Sequence, residues 1–185
     1  DVDILSASDG DSKIAAYLND GSNNFTEQII SDTAYGTVSV FATDIDNDGD
    51  IDILDTSSYT NSAAVGMPLV ESDVRLYIND GNNNFTEQGV SAEAKIALSV
   101  FAVDIDSDGD VDVLRTSPYT LAPSPLPGVP SPPNDKTLVV FLNDGNNNFT
   151  EQVISTNAQL PLSVFAVDID SDGDVDVLSA SASED

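Results

Sequence analysis

The chain repeats itself, and this narrows the folds open to it more than any other feature. "VSVFATDIDNDGDIDILDTSS" from Val38 is matched by "LSVFAVDIDSDGDVDVLRTSP" from Leu98 and "LSVFAVDIDSDGDVDVLSASA" from Leu162, at offsets of 60 and 64 residues. Between these lie "LNDGSNNFTEQII" from Leu18, "INDGNNNFTEQGV" from Ile78 and "LNDGNNNFTEQVI" from Leu142. Repeats of this length imply stacked modules that bury a shared core.

Each repeat reads as strands. "SVFAVDI" and "VDVL" are short β-branched runs bounded by Asp and Gly, and neither reaches helical length. "KIAAYLND", "VRLYIND" and "TLVVFLND" form a third strand and "FTEQ" begins a fourth. The "NDG" and Asn-rich tip between them supplies residues that tolerate positive φ in a hairpin. The predicted fold is all-β, a β-propeller-type array of four-stranded antiparallel blades. About three blades are expected, in a partial or open propeller, because rings begin near four.

The expected units are 1–37 (strands two to four of a blade), 38–97 and 98–161 (whole blades), and 162–185 (strands one and two). The two ends duplicate one strand, so the chain reads as an excerpt of a longer one, starting as a mature or excised terminus. The alternative is a unit that completes itself by pairing open blade edges with other chains. Insertions are expected at 57–72 and at 117–135, the latter a proline-rich, extended surface loop.

The Asp clusters set the chemistry. Counting Asp168 as position one, carboxylates fall at Asp168, Asp170, Asp172 and Asp176, Gly173 is sixth, and Asp174 offers its carbonyl. The equivalent sets are Asp44, Asp46, Asp48, Asp50 (carbonyl) and Asp52, and Asp104, Asp106, Asp108, Asp110 (carbonyl) and Asp112. Oxygen ligands at alternate positions, with glycine sixth for the sharp turn, suit a loop wound around calcium. Crowded carboxylates repel one another, and a divalent cation turns that repulsion into attraction. Magnesium asks for tighter octahedral geometry, and zinc for His or Cys, which the chain lacks. About three calcium ions are expected. Residues 1–3 retain only the tail of such a loop, Asp1 and Asp3. An EF-hand is not supported, since position twelve is Asp55, Arg115 or Ser179 and the flanks are strands.

On "SVFAVDIDSDGDVDVL" and "NDGNNNFT", the repeat resembles the FG-GAP/VCBS-type calcium-binding repeat of integrin-α-like β-propellers. The resemblance covers essentially the whole chain. It implies that the Asp loop joins the first two strands of a blade and binds calcium through the residues named. The family's ring typically has about seven blades and short turns, so three blades and long insertions depart from it.

Charge narrows the partners. The chain carries 33 acidic and 5 basic residues, a formal charge of −28, which disfavours nucleic acid and anionic membrane surfaces. No apolar run approaches the roughly 20 residues of a membrane span. Asn24, Asn84 and Asn148 each open an N-F-T sequon and are glycosylation candidates, although the same letters also suit an unmodified turn and strand. With no His or Cys, nucleophile–His catalysis is excluded and no enzyme is expected. Tyr17, Tyr77 and Phe141 share one strand position and are expected to pack the blades, while Tyr59 and Tyr119 are weak contact candidates. The expected function is that of an extracellular or cell-surface, calcium-binding propeller segment in adhesion or structural assembly, with calcium rigidifying each blade. Alternatives are a lectin-like glycan binder, a non-catalytic module of a larger secreted enzyme, or a filament subunit.

Overall fold

A computed structural model describes residues 2–57, 74–91, 96–117, 136–158 and 160–182. Asp1, Tyr59, Tyr119 and nearly all of the two insertions lie outside the described residues. Among the described residues there are thirteen strands and no helix.

The strands form four antiparallel sheets. β1 (Ile4–Ser8), β2 (Lys13–Asn19) and β3 (Phe25–Ser31) make a three-stranded sheet in chain order. β4 (Thr37–Thr43), β5 (Asp52–Ser57), β6 (Val74–Asn79) and β7 (Phe85–Gly89) make the second. β8 (Ser99–Val103), β9 (Asp112–Thr116), β10 (Leu138–Asn143) and β11 (Phe149–Ser155) make the third. β12 (Pro161–Val167) and β13 (Asp176–Ser181) pair as the fourth. Each sheet is a meander whose neighbours in sequence are neighbours in space, the blade pattern of a propeller-type array.

The cores lie between sheets. Alternating side chains of a strand face opposite sheets, so Ile53 packs with Ile14, Ala34 and Tyr77, while its neighbour Leu54 packs with Val100, Val113 and Phe141. One blade on, Val113 belongs to that core and Leu114 to the next, with Val140, Val164 and Ala166. A middle strand covered on both faces needs a near-continuous apolar run, which explains why "LVVFL" in β10 and the Val113–Leu114 pair in β9 run on without alternating polar residues. Tyr77 and Phe141 sit in these cores, whereas Tyr17 is half-buried.

The first strands of successive sheets also stack. Phe41 and Phe101 have ring centroids 4.9 Å apart, and Phe101 and Phe165 4.7 Å, both tilted, a favourable aromatic geometry. The Val100 N–H donates to Ser39 Oγ at 3.5 Å and the Val164 N–H to Ser99 Oγ at 3.3 Å, repeating one link from sheet to sheet. Two inner arginines differ between blades. Arg75 Nε donates to Asp55 Oδ1 at 2.9 Å in a buried ion pair. Arg115 instead lies 5.8 Å from the Phe141 ring centroid.

Candidate metal centre

Each Asp-rich loop joins the first two strands of a sheet, between β4 and β5, β8 and β9, and β12 and β13. Its backbone is set by two residues with positive φ. Position four is Asn47, Ser107 or Ser171, at φ 60°, 61° and 64°. Position six is Gly49, Gly109 or Gly173, at φ 96°, 99° and 100°, where an L side chain is strained. These angles curl the chain so that its N–H groups turn inward. In the first loop Asp44 accepts from the N–H of Asp48 at 3.1 Å and of Gly49 at 3.0 Å. Asp104 does the same with Asp108 and Gly109, and Asp168 with Asp172 and Gly173.

The result is carboxylate convergence. Oxygens of Asp44, Asp46 and Asp48 lie within 4.8 Å of one another, as do those of Asp104, Asp106 and Asp108. In the third loop the group within that distance is Asp168, Asp170 and Asp176. Asp172 stays outside that trio, although its Oδ1 accepts the Asp174 N–H at 3.0 Å. All donors are oxygen, and the chain has no His or Cys to compete. A hard, flexible-geometry cation such as calcium fits that donor set.

In the first two loops the position-seven aspartates do not turn their carboxylates inward. Asp50 lies against Gly81 and Asp110 against Gly145, so closely that a Cβ on Gly81 would stand 2.5 Å from Asp50 Oδ2. Their side chains brace the neighbouring hairpin, which leaves the backbone carbonyl as what position seven can offer a cation.

Position nine has a second role. Asp52 Oδ2 accepts the Ile45 N–H at 3.0 Å and its Oδ1 the Asn79 N–H at 2.7 Å. Asp112 accepts from Ile105 at 3.0 Å and from Asn143 at 2.8 Å. Asp52 and Asp112, each 1% exposed, are thereby tied to the third strand and stand apart from the close trio. Burial pushes both carboxyls above the usual aspartate range. The N–H donors oppose that push, and the neighbouring loop aspartates add to it. Asp3 accepts the Asn19 N–H at 2.8 Å in the same way.

Asn19, Asn79 and Asn143 complete this clasp. Their side-chain nitrogens donate to the carbonyls of Val2, Ile51 and Val111, each just before the clasped aspartate, at 3.2 Å. From sequence alone these residues stand where the third strand runs into the "NDG" turn, with no such role assigned. The usable signal was that Asn ends the third strand in all three copies, while the positive φ belongs to the Gly and Asn that follow. Gln28 and Gln88 were missed too. Each reaches the next blade's hairpin, donating to Asn83 O at 3.1 Å and Asn147 O at 2.7 Å.

The sequon residues Asn24, Asn84 and Asn148 are exposed at the hairpins. Their Nδ2 atoms donate to the carboxylates of Asp20, Asp80 and Asp144 at 2.8, 2.9 and 3.0 Å. Those amides, with backbone N–H groups of the turn, hold the three carboxyls below the usual aspartate range.

The family model for the FG-GAP-like repeat matches residues 1–54, 64–114 and 129–179, most of the chain. Each match closes on the Asp loop and the strand that follows it. No curated protein matches the chain.

Proposed function

This chain belongs to the FG-GAP-like repeat family, and from that premise we propose that its three Asp loops bind calcium and so rigidify an extracellular array serving adhesion or structural assembly. The observation that carries this reading is the shared conformation of the three loops: left-handed position four, glycine at position six, and three carboxylates within 4.8 Å. Unmodified turns need no such convergence of like charge, and a loop that pays for it gains only when a cation arrives.

The residues that would hold the ion are Asp44, Asp46, Asp48, Asp52 and the Asp50 carbonyl, with the equivalent sets at 104–112 and 168–176. A bound divalent cation supplies the positive charge that offsets carboxylate repulsion. The chain's own contribution is orientation. Inward N–H groups aim Asp44, Asp104 and Asp168, and the clasp fixes Asp52 and Asp112 to the third strand. Ordering the loop therefore fixes strands one, two and three of a blade together. FG-GAP repeats occur in integrin-like adhesion and assembly domains, and among the described residues no helix is long and apolar enough to cross a membrane. Nothing in this role requires catalysis, and the partner is another protein surface.

The test is a thermal melt of the whole chain in excess calcium and in excess chelator. At a hundredfold excess over Kd each site contributes about 2.7 kcal/mol, and a chain of this size moves about 2–4 °C per kcal/mol. Calcium should raise Tm by more than about 10 °C. An identical melt in both conditions would refute the reading.

A further inference from the structure

A hydrogen bond joins the first two loops, whereas among the described residues the second and third loops share apolar packing through Ile105 and Val175 but no hydrogen bond. We propose that the loops at 44–52 and 104–112 take up calcium as a coupled pair, with Asn47 carrying the coupling, while the loop at 168–176 loads independently. This rests on the calcium reading above and goes beyond it.

Asn47 lies between two ligand residues, Asp46 and Asp48, and its Nδ2 donates to the Gly109 carbonyl in the second loop at 3.2 Å. That carbonyl and the Asp110 N–H belong to one peptide group. The Asp110 N–H donates to Asp108 Oδ1 at 2.9 Å. A hydrogen-bonded chain thus runs from beside the ligands of one loop to a ligand of the next, and such chains polarise along their length.

A second link runs parallel to the first. The Ile45 carbonyl, between Asp44 and Asp46, accepts from Asn143 Nδ2 at 3.4 Å, and the Asn143 N–H donates to Asp112. Asn143 gives something up for this. Asn19 and Asn79 use Oδ1 to accept the N–H of Gly21 and Gly81. Asn143 Oδ1 is buried with no partner among the described residues. A residue that tolerates an orphaned acceptor is being held by its other contacts.

Coupling follows from shared ordering. A cation that fixes Asp46 and Asp48 also fixes Asn47, and the second loop then has less freedom left to lose. Reciprocity requires the same factor in the other direction. The third loop lacks the link. Its predecessor carries Ser107 at the Asn47 position, with the same φ but a shorter side chain, and no hydrogen bond joins Ser107 to Gly173 among the described residues. The Asn-for-Ser difference between otherwise near-identical loops is what removes the direct loop-to-loop link.

The test is a calcium titration of the isotopically labelled full chain by NMR, following the amides of Gly49, Gly109 and Gly173. Each donates to the first aspartate of its own loop at 3.0 Å, so each reports its own site. Gly49 and Gly109 should titrate together, more steeply than a single site, with Gly173 at its own midpoint. Asn47→Ser installs the residue the other loops already use. It should move the Gly109 midpoint to about fivefold higher calcium, the worth of one ordinary hydrogen bond, and leave Gly173 in place. Asp48→Asn, weakening the first loop directly, should shift Gly109 in the same direction. Independent titration of all three glycines, or a Gly109 midpoint indifferent to both substitutions, would overturn the coupling alone. A wild-type chain in which no glycine responds at millimolar calcium would overturn the calcium reading and the coupling with it.

Discussion

Residues 104–114 and 168–178 are the same eleven letters in two different surroundings. Their backbones agree, with Ser107 and Ser171 at φ 61° and 64°, and Gly109 and Gly173 at φ 99° and 100°. Their side chains do not. Leu114 is fully buried and Leu178 is 37% exposed. Asp112 is clasped by Asn143 of the third strand, whereas Asp176 accepts only the Ile169 N–H among the described residues and joins Asp168 and Asp170. Loop shape is therefore written locally, in Asp, Ser and Gly at fixed spacing. What the ninth aspartate does is decided by the strand that packs beside it.

The largest effect expected from this contrast is at position nine. Asp112→Ala leaves one buried and one part-buried N–H group without an acceptor and should cost about 2 kcal/mol. Asp176→Ala, at a partly exposed site where water can replace the carboxylate, should cost less than about 1 kcal/mol. Urea denaturation of both variants in chelator measures the pair, and equal losses would break the comparison.

Position six should behave in the opposite way. Gly109→Ala and Gly173→Ala both force an L residue into the same left-handed backbone, which costs about 1–2 kcal/mol. The two losses should agree within about 0.5 kcal/mol, because nothing else stands within 4 Å of either missing Cβ. A large difference would show that surroundings, and not local geometry, shape the loop.

The smallest expected effect is acid loosening of the hairpins that flank these loops. Asp20, Asp80 and Asp144 have carboxyls held below the ordinary value of 3.8 by Asn24, Asn84 and Asn148 and the turn N–H groups. A depressed folded value means that the contribution is complete above 3.8 and is lost as pH falls through the lower value. Amide exchange at Asn84 and Asn148 should quicken only below that range, and a hairpin that loosens on the neutral side would contradict the assignment.

Much of the fold was legible because its determinants are local. β-branched runs of strand length, Asp–Gly turns and a repeat near sixty residues lead directly to antiparallel blades. The loop conformation was legible for the same reason. The Asn79–Asp52 and Asn143–Asp112 clasps were not, since they join residues 27 and 31 positions apart through a backbone N–H. Nor was the Asn47–Gly109 bond, which spans 62 positions. Such links depend on how blades stack, and a reading of single strands does not reach them.

The central claim is that three loops of one design each hold a calcium ion. Equilibrium dialysis of the full chain against calcium tests it most directly. The account predicts uptake saturating at three ions per chain, and two after Asp168→Ala with Asp170→Ala. Saturation at none in millimolar calcium, or a stoichiometry unchanged by that double substitution, would contradict it.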